Sequence, residues 1–475
     1  MATQYYYGLR RVELMLLIYG SIMLTLLLFP FYWGQTIWVA VGIAFTIFVL
    51  GHMCLVVSRC VILPELITFV ACLSWVIAPW LAYRFPPSLN LYGMSVPPET
   101  YFSYTVPVVL ALWFGIHAPL RFNPNSAHAA KWVPIPLTNR DRFLMDALIV
   151  VGYGVSIATS YAPASLAFLF YILAQLRFVG AFSLMFTRAK GWQIRIVIVF
   201  LTLLASTASA GLFYELILWI GYLLISLAFV YRWRWKLIIF MFAGLLLIVP
   251  FNSIKGDYRL NLLEKNTGSY EKVKLLMNLV WKEIDKSEQY SLYRQAPGDH
   301  LVRWNQGWIV SKVMFAVPDQ EPFGNGETIL SSVVASLVPR IWLPGKLGAS
   351  SRDTFARFTN LTVPETTSMA LGVSGEMYAN FGLIGGIAGI FIYSVFIGFI
   401  FSRFARAARN NLLWWAWAPF VLLPAIEAEW NLVDILNHIT KSSVVMLLMI
   451  YMIPIFKRTL WKKGFVTPNS SNTAA

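Results

Sequence analysis

Apolar runs of about twenty residues recur along almost the whole of this chain, and that repetition narrows its possible folds more than any other feature. An α-helix rises about 1.5 Å per residue, so a run of that length crosses about 30 Å of hydrocarbon. Inside lipid no water is present to bond the backbone, which leaves helices that bond within themselves or a closed barrel. A barrel strand would show about ten residues of strict apolar and polar alternation, and no such segment is visible. The chain therefore reads as an all-α polytopic membrane helix bundle. A charged fraction of only 12% and a mean hydropathy of +0.65 agree with that class.

About twelve spans are expected, at 12–30, 36–57, 62–84, 103–120, 144–160, 164–187, 196–212, 214–231, 237–251, 380–402, 411–427 and 440–456. The pair within 196–231 is the least distinct, because Ala205–Gly211 is weakly apolar and the two segments nearly touch; eleven or thirteen spans also fit. Short loops rich in Lys and Arg stay in the cytoplasm. Arg10 and Arg11, Arg59, the group from Arg121 to Arg142, Arg188 to Arg195, Arg232 to Lys236, Arg403 to Arg409 and the tail Lys457 to Lys463 occupy every second connection. Both termini are thus expected in the cytoplasm. The intervening connections, such as Phe85–Phe102 and Glu427–Ile439, hold almost no bases and fall outside. The net charge of +15 follows from this pattern and suits anionic membrane lipids, so no nucleic-acid partner is implied.

One outer connection differs from the rest. Asn252–Tyr378 is far longer than the others and holds fourteen of the thirty-seven Lys and Arg and thirteen of the twenty-two Asp and Glu. The chain divides accordingly into an N-terminal bundle of about nine spans (1–251), a large extracytoplasmic loop (252–378), C-terminal spans (379–463) and a polar tail (464–475) expected to be disordered. Cys54, Cys60 and Cys72 all lie in or beside the second and third spans, so the loop has no cysteine with which to form a disulfide. No cleavable signal peptide is expected, since the first span is long and leads straight into others. Within the loop, Glu271–Gln295 has the spacing of an amphipathic surface helix, Asp299–Trp308 leads into a second helix, and Glu327–Trp342 is apolar enough to re-enter the bilayer.

The order of short motifs along this region is distinctive. Arg303 stands in a helical stretch, Phe323-Gly-Asn-Gly-Glu327 follows, then Leu337-Val-Pro-Arg-Ile-Trp-Leu-Pro-Gly-Lys346, then Gly375-Glu-Met-Tyr-Ala-Asn-Phe-Gly382 opening a Gly-rich span. Over about 299–402 this order resembles the Wzy-type polymerases of O-antigen and exopolysaccharide repeat units; elsewhere the likeness is one of topology. The resemblance implies a GT-C-like membrane glycosyltransferase on the outer face of a bacterial inner membrane. It also implies undecaprenyl-diphosphate-linked oligosaccharide as substrate, with a flippase and a chain-length regulator as possible partners.

The residues suit such a reaction. A diphosphate is a good leaving group, so the protein mainly needs fixed positive charge beside it and a positioned acceptor hydroxyl. Arg303, Arg340 and Lys346 are candidates for that charge, although each also reads as a base facing a loop carboxylate, a lipid headgroup or, for Lys346, solvent. His300, Glu327 and Glu376 are candidates for the base that takes the hydroxyl proton. Glu327 equally suits the first turn of a helix, and Glu376 a helix cap. Arg177 falls near mid-membrane, where it needs a partner or a water-filled cavity, and Glu215 is a possible partner. Trp304 and Trp308 are candidates for stacking on sugar. Gly382/Gly386 and Gly385/Gly389 read as close helix packing.

Other chemistries lack their marks. No two of the five histidines have metal-ligand spacing, no Asp-x-Asp pair is present, and Gly324-Asn-Gly326 lacks the Gly-Lys that would complete a P-loop. A metal-independent reaction without a cofactor is expected. An O-antigen ligase and a transporter or flippase of lipid-linked sugars remain rival readings.

Overall fold

The computed structural model describes residues 5–6, 9–32, 34–57, 61–121, 137–163, 166–210, 214–233, 274–275, 278, 302, 304–338, 352–363, 369–452, 458 and 460. Apart from a two-residue pairing of Tyr5–Tyr6 with Leu9–Arg10, the described secondary structure is helical. The helices are α1 (Arg11–Leu27), α2 (Ile37–Val56), α3 (Leu63–Cys72), α4 (Ala78–Arg84), α5 (Pro98–Arg121), α6 (Asn139–Ala158), α7 (Ala167–Ala174), α8 (Leu176–Phe186), α9 (Trp192–Ala210) and α10 (Tyr214–Tyr231). Farther along come α11 (Gly307–Ala316), α12 (Glu327–Leu337), α13 (Arg352–Thr359), α14 (Gly372–Asn410), α15 (Trp414–Leu422) and α16 (Leu432–Met452).

Among the described residues, six helical stretches are long and apolar enough to cross a membrane: Ile37–Val56, Leu63–Arg84, Pro98–Leu120, Ala167–Phe186, Gly372–Asn410 and Leu432–Met452. Val12–Leu27, Trp192–Thr207, Glu215–Tyr231 and Trp414–Ile426 are apolar but shorter, and α6 carries Arg140, Asp141, Arg142 and Asp146 in its first half. The expected span 237–251 lies outside the described residues, as does nearly all of 252–301 with its expected surface helix.

Side-chain distribution is that of a protein in lipid. On α12 the buried positions are Thr328, Ser332, Ala335 and Ser336, while Leu330 and Leu337 are each 66% exposed. A water-soluble helix would present the reverse pattern. The same outward apolar faces recur on α9, α14 and α16, with Ile384 and Ile392 among the most exposed residues. The helix expected to re-enter the bilayer is therefore a short apolar-faced helix that packs its hydroxyls against α14 and α16.

Two segments depart from straight spans. Leu63–Arg84 passes through a π-helical turn at Leu73–Ile77. The expected span 164–187 breaks at Gln175, whose N–H turns back to Ile172 O and separates α7 from α8.

The strongest pairing in the bundle joins α5 to α14 along much of their length. Gly398 lies directly on the Ile116 backbone, and a Cβ there would collide with the Ile116 carbonyl oxygen. Tyr104 near the start of α5 donates to Ser374 O near the start of α14 at 2.8 Å, so this seam ties one end of the bundle to the region just before the kink of α14. At the other end of α5, Glu65 of α3 is buried between His117 Nε2 at 3.4 Å and His52 Nδ1 at 3.5 Å. The His117 Nδ1–H donates to Trp113 O at 2.9 Å, and the Trp113 ring covers the imidazole at 4.0 Å.

Candidate functional site

Gly382 takes φ 67° and ψ -159° inside α14. That conformation is open to glycine and costly for other residues. The kink takes Ala379 O and Asn380 O out of the helical ladder. The Phe323–Glu327 segment supplies their partners: Gly324 N–H donates to Ala379 O at 3.0 Å and Asn325 N–H to Asn380 O at 3.1 Å. Asn380 adds its side chain, accepting from Gly326 N–H at 3.0 Å and donating to Thr328 Oγ1 at 2.7 Å. Phe323 packs on Gly382 itself, so a side chain at Gly382 would meet its ring. Two of the motif segments distant in sequence thus form one junction, sealed by backbone hydrogen bonds.

Glu376 lies in that junction and is 4% exposed. Its Oε2 accepts the Leu432 N–H at 3.0 Å, which caps the start of α16, and Thr328 and Ser332 of α12 face the same carboxyl. Its bonds lock α12, α14 and α16 together, and the helix end it caps is that of α16 and not of its own span. Glu327 is at the surface, where Arg357 bridges it at 3.0 Å and Glu321 at 2.5 Å. The two carboxylates hold the Arg357 guanidinium above its already high pKa. Trp308 is 3% exposed, set edge-to-face on Tyr92 in a second small core with Phe355 and Phe358, and offers no open face for a sugar. Trp304 is partly buried in the turn before α11. Arg303, Arg340, His300 and Lys346 lie outside the described residues.

The capped turn before α16 leads from this junction into a second polar group. Glu427 follows α15, Glu429 accepts from Gln306 Nε2 at 2.8 Å, and Asp434 faces both Glu376 and Glu427. Glu427 is 8% exposed and faces Glu215 at the start of α10 and Tyr171 of α7, with the Trp430 side chain as its hydrogen-bond partner. Burial comes first, and the Glu429 and Glu215 charges add to it, in pushing the Glu427 carboxyl well above the ordinary carboxylate range.

Arg177 joins this group from α8. It points into the bundle, 7% exposed, with Nη1 donating to Ser156 Oγ at 3.2 Å and its guanidinium 5.7 Å from the Tyr153 ring centre. Glu215 and Tyr171 face it. Its Nε has no hydrogen-bond partner among the described residues, and neither does Oε1 of Gln175, buried at the α7–α8 break beside Tyr171. Farther along α16, His438 donates Nε2–H to Phe420 O at 3.0 Å, which leaves Nδ1 as an acceptor without a partner among the described residues. Its ring lies 6.2 Å from Phe168, which stacks on Tyr171 and carries Lys441 Nζ at 4.5 Å.

Buried polar atoms are almost always bonded, so several open ones around one aromatic strip call for water or a ligand. The arrangement offers hydroxyl-binding donors and acceptors, flat rings and a buried carboxyl. Of the sequence candidates, Arg177 belongs to this group and Glu376 adjoins it. Glu427, Tyr171 and Gln175 escape a reading of the sequence alone. The available signal is the pair of acids at Glu427 and Glu429, with Asp434 following, in a short connection without a base. Set against known proteins, the chain matches no family model, no curated protein and no solved structure.

Proposed function

We propose that this chain is a membrane glycosyltransferase that joins undecaprenyl-diphosphate-linked oligosaccharide repeat units into O-antigen or exopolysaccharide. In this reading it is a GT-C-like bundle of about twelve spans in a bacterial inner membrane, with both termini cytoplasmic and Asn252–Tyr378 on the outer face. The observation that carries the reading is the meeting of Phe323–Glu327 with Gly375–Gly382, whose Glu376 leads through the Glu427–Asp434 turn into a buried polar group holding Arg177. A lipid-linked sugar needs such a place, where an otherwise apolar bundle offers donors, acceptors and rings near one end. Arg303 and Arg340 would supply positive charge to the diphosphate from the loop. A groove of about 550 Å³ lined by Ala111, Ile384, Ile387, Ala388, Phe391 and Ile392 offers the polyprenyl chain an apolar path below the kink. Purified protein in lipid nanodiscs, given synthetic undecaprenyl-diphosphate-linked tetrasaccharides, should produce a ladder of glycans rising by one repeat. Transfer of a single glycan to a lipid A core would identify a ligase instead, and movement across the membrane without a new glycosidic bond would identify a flippase.

A further inference from the structure

The charge balance of the polar group separates two jobs that the polymerase reading combines. Around Tyr171 stand one guanidinium, Arg177, and two carboxyls, Glu215 and Glu427, with Glu429 and Asp434 just beyond and the Lys441 ammonium over the adjoining Phe168 ring, so the four carboxyls outnumber the two cations. A diphosphate would bring several negative charges into a place already rich in acid, and Coulomb repulsion at short range in a buried setting opposes that strongly. A sugar brings hydroxyls, which both donate and accept, and the open Arg177 Nε and Gln175 Oε1 are one donor and one acceptor of that kind. Phe168 and Tyr171 add adjoining ring faces.

The carboxyls of the region differ in how they are engaged. Glu376 is held by the N-terminus of α16 and by two hydroxyls, Glu327 is bridged by Arg357 at the surface, Glu429 is bonded by Gln306, and Glu215 faces Arg177. Glu427 is buried in the turn between two helices, with Trp430 as its side-chain bond, and its charge acts on Tyr171, which neighbours Gln175 and Arg177.

Resting on the polymerase reading, we infer that the Tyr171 group binds the hydroxyl-bearing acceptor sugar and that the Glu427 carboxylate takes the proton from the attacking hydroxyl. As the acceptor oxygen forms its bond to the donor's anomeric carbon, the bond from that carbon to the diphosphate oxygen breaks and its electron pair leaves with the lipid diphosphate. The hydroxyl proton passes to Glu427, which later returns it to water. The diphosphate itself is met elsewhere, by bases of the loop. The groups facing Glu427 are Glu429 of its own turn, Glu215 of α10, Asp434 of α16, and Tyr171 of α7, with Arg177 of α8 beyond Tyr171. Burial and neighbouring acids raise its pKa, which makes its ionised form a stronger base.

The test is the nanodisc polymerisation assay run on the wild type, Glu427→Gln and Glu427→Asp over a range of pH, with folding checked by melting temperature and monodispersity. Loss of a general base should slow polymerisation by roughly 10²- to 10⁴-fold in Glu427→Gln and remove the acidic limb of its pH profile. Glu427→Asp, with the carboxylate drawn back by one methylene, should keep a limb at a lower rate. A folded Glu427→Gln variant with normal rate, or with the wild-type limb intact, overturns the inference and leaves the polymerase reading standing. Should Glu427→Gln fail to fold, Glu427→Asp decides, and an unchanged rate and limb in it overturn the inference. No ladder from the wild type on any tetrasaccharide of the panel sinks the polymerase reading, and the inference falls with it.

Discussion

Two regions of this bundle bury carboxylates, and they treat them differently. In one, Glu65 is held between two imidazoles on three helices that are consecutive spans, with Trp113 laid over one ring. In the other, Glu427 belongs to a group gathered from α6, α7, α8, α10 and the turn before α16, where Arg177 Nε and Gln175 Oε1 lack partners among the described residues. In the first region Glu65 Oε2 also lacks a hydrogen-bond partner among the described residues, but Oε1 is gripped by both imidazoles and Trp113 roofs the His117 ring, so the region behaves as a clasp. The second holds unspent hydrogen-bonding capacity inside an apolar bundle, a costly arrangement unless something else binds there. Substitutions in the clasp and along its seam should therefore cost stability, and substitutions in the open group should cost activity first.

The largest stability effect is expected at Glu65. Replacing it by Ala leaves His52 and His117 buried without the carboxylate, and breaking a buried pair on one side costs about 3–5 kcal/mol. Melting of the purified protein in detergent measures it, and a Glu65→Ala variant as stable as the wild type would erase the distinction between the two regions. Gly398→Val comes next, since the new side chain must push Ile116 and α5 away from α14. Overpacking of this kind costs about 1–3 kcal/mol and should show as lower yield and earlier melting.

A smaller and pH-dependent effect is expected from Glu427. Its pKa is raised in the folded protein, so its contribution to stability is whole below the ordinary carboxylate range and is lost as pH rises through the raised value. Melting temperature should fall as pH rises from the ordinary carboxylate range through that raised value, and Glu427→Gln should flatten the fall. The least effect is expected at Arg357, whose two partners sit at the surface. Arg357→Ala should change stability by less than about 1 kcal/mol, and adding salt should shrink the difference further.

Much of the bundle is legible because lipid imposes one simple pattern. The expected 36–57 and 214–231 appear as Ile37–Val56 and Tyr214–Tyr231, each bounded where polar or basic residues begin. What hydropathy does not reveal are the breaks inside apolar runs. Gln175 interrupts a span without a proline or glycine beside it, and the first turns of α14, up to the kink at Gly382, are fixed by contacts with a segment more than fifty residues earlier. The site is harder to read for the same reason. Arg177 stands out because a charge in an apolar run is conspicuous, whereas Glu427 sits in a polar turn where acids are ordinary, and only the fold shows it buried beside Tyr171. Trp308 looks available for sugar by its chemistry, but a tertiary core covers it.

The open polar group around Arg177 is proposed to receive the lipid-linked glycan. The direct test is thermal stabilisation of the purified protein by a titrated undecaprenyl-diphosphate-linked tetrasaccharide, compared between the wild type and Arg177→Met. Ligand at about 100 times its Kd should stabilise the wild type by about 2.7 kcal/mol. Arg177→Met keeps the bulk of the side chain without its donors; leaving Glu215 without its cation lowers the unliganded melting temperature, and the ligand should add little or no stabilisation to that baseline at the same concentration. Equal stabilisation of a well-folded Arg177→Met variant would contradict the claim and move the glycan to another part of the molecule.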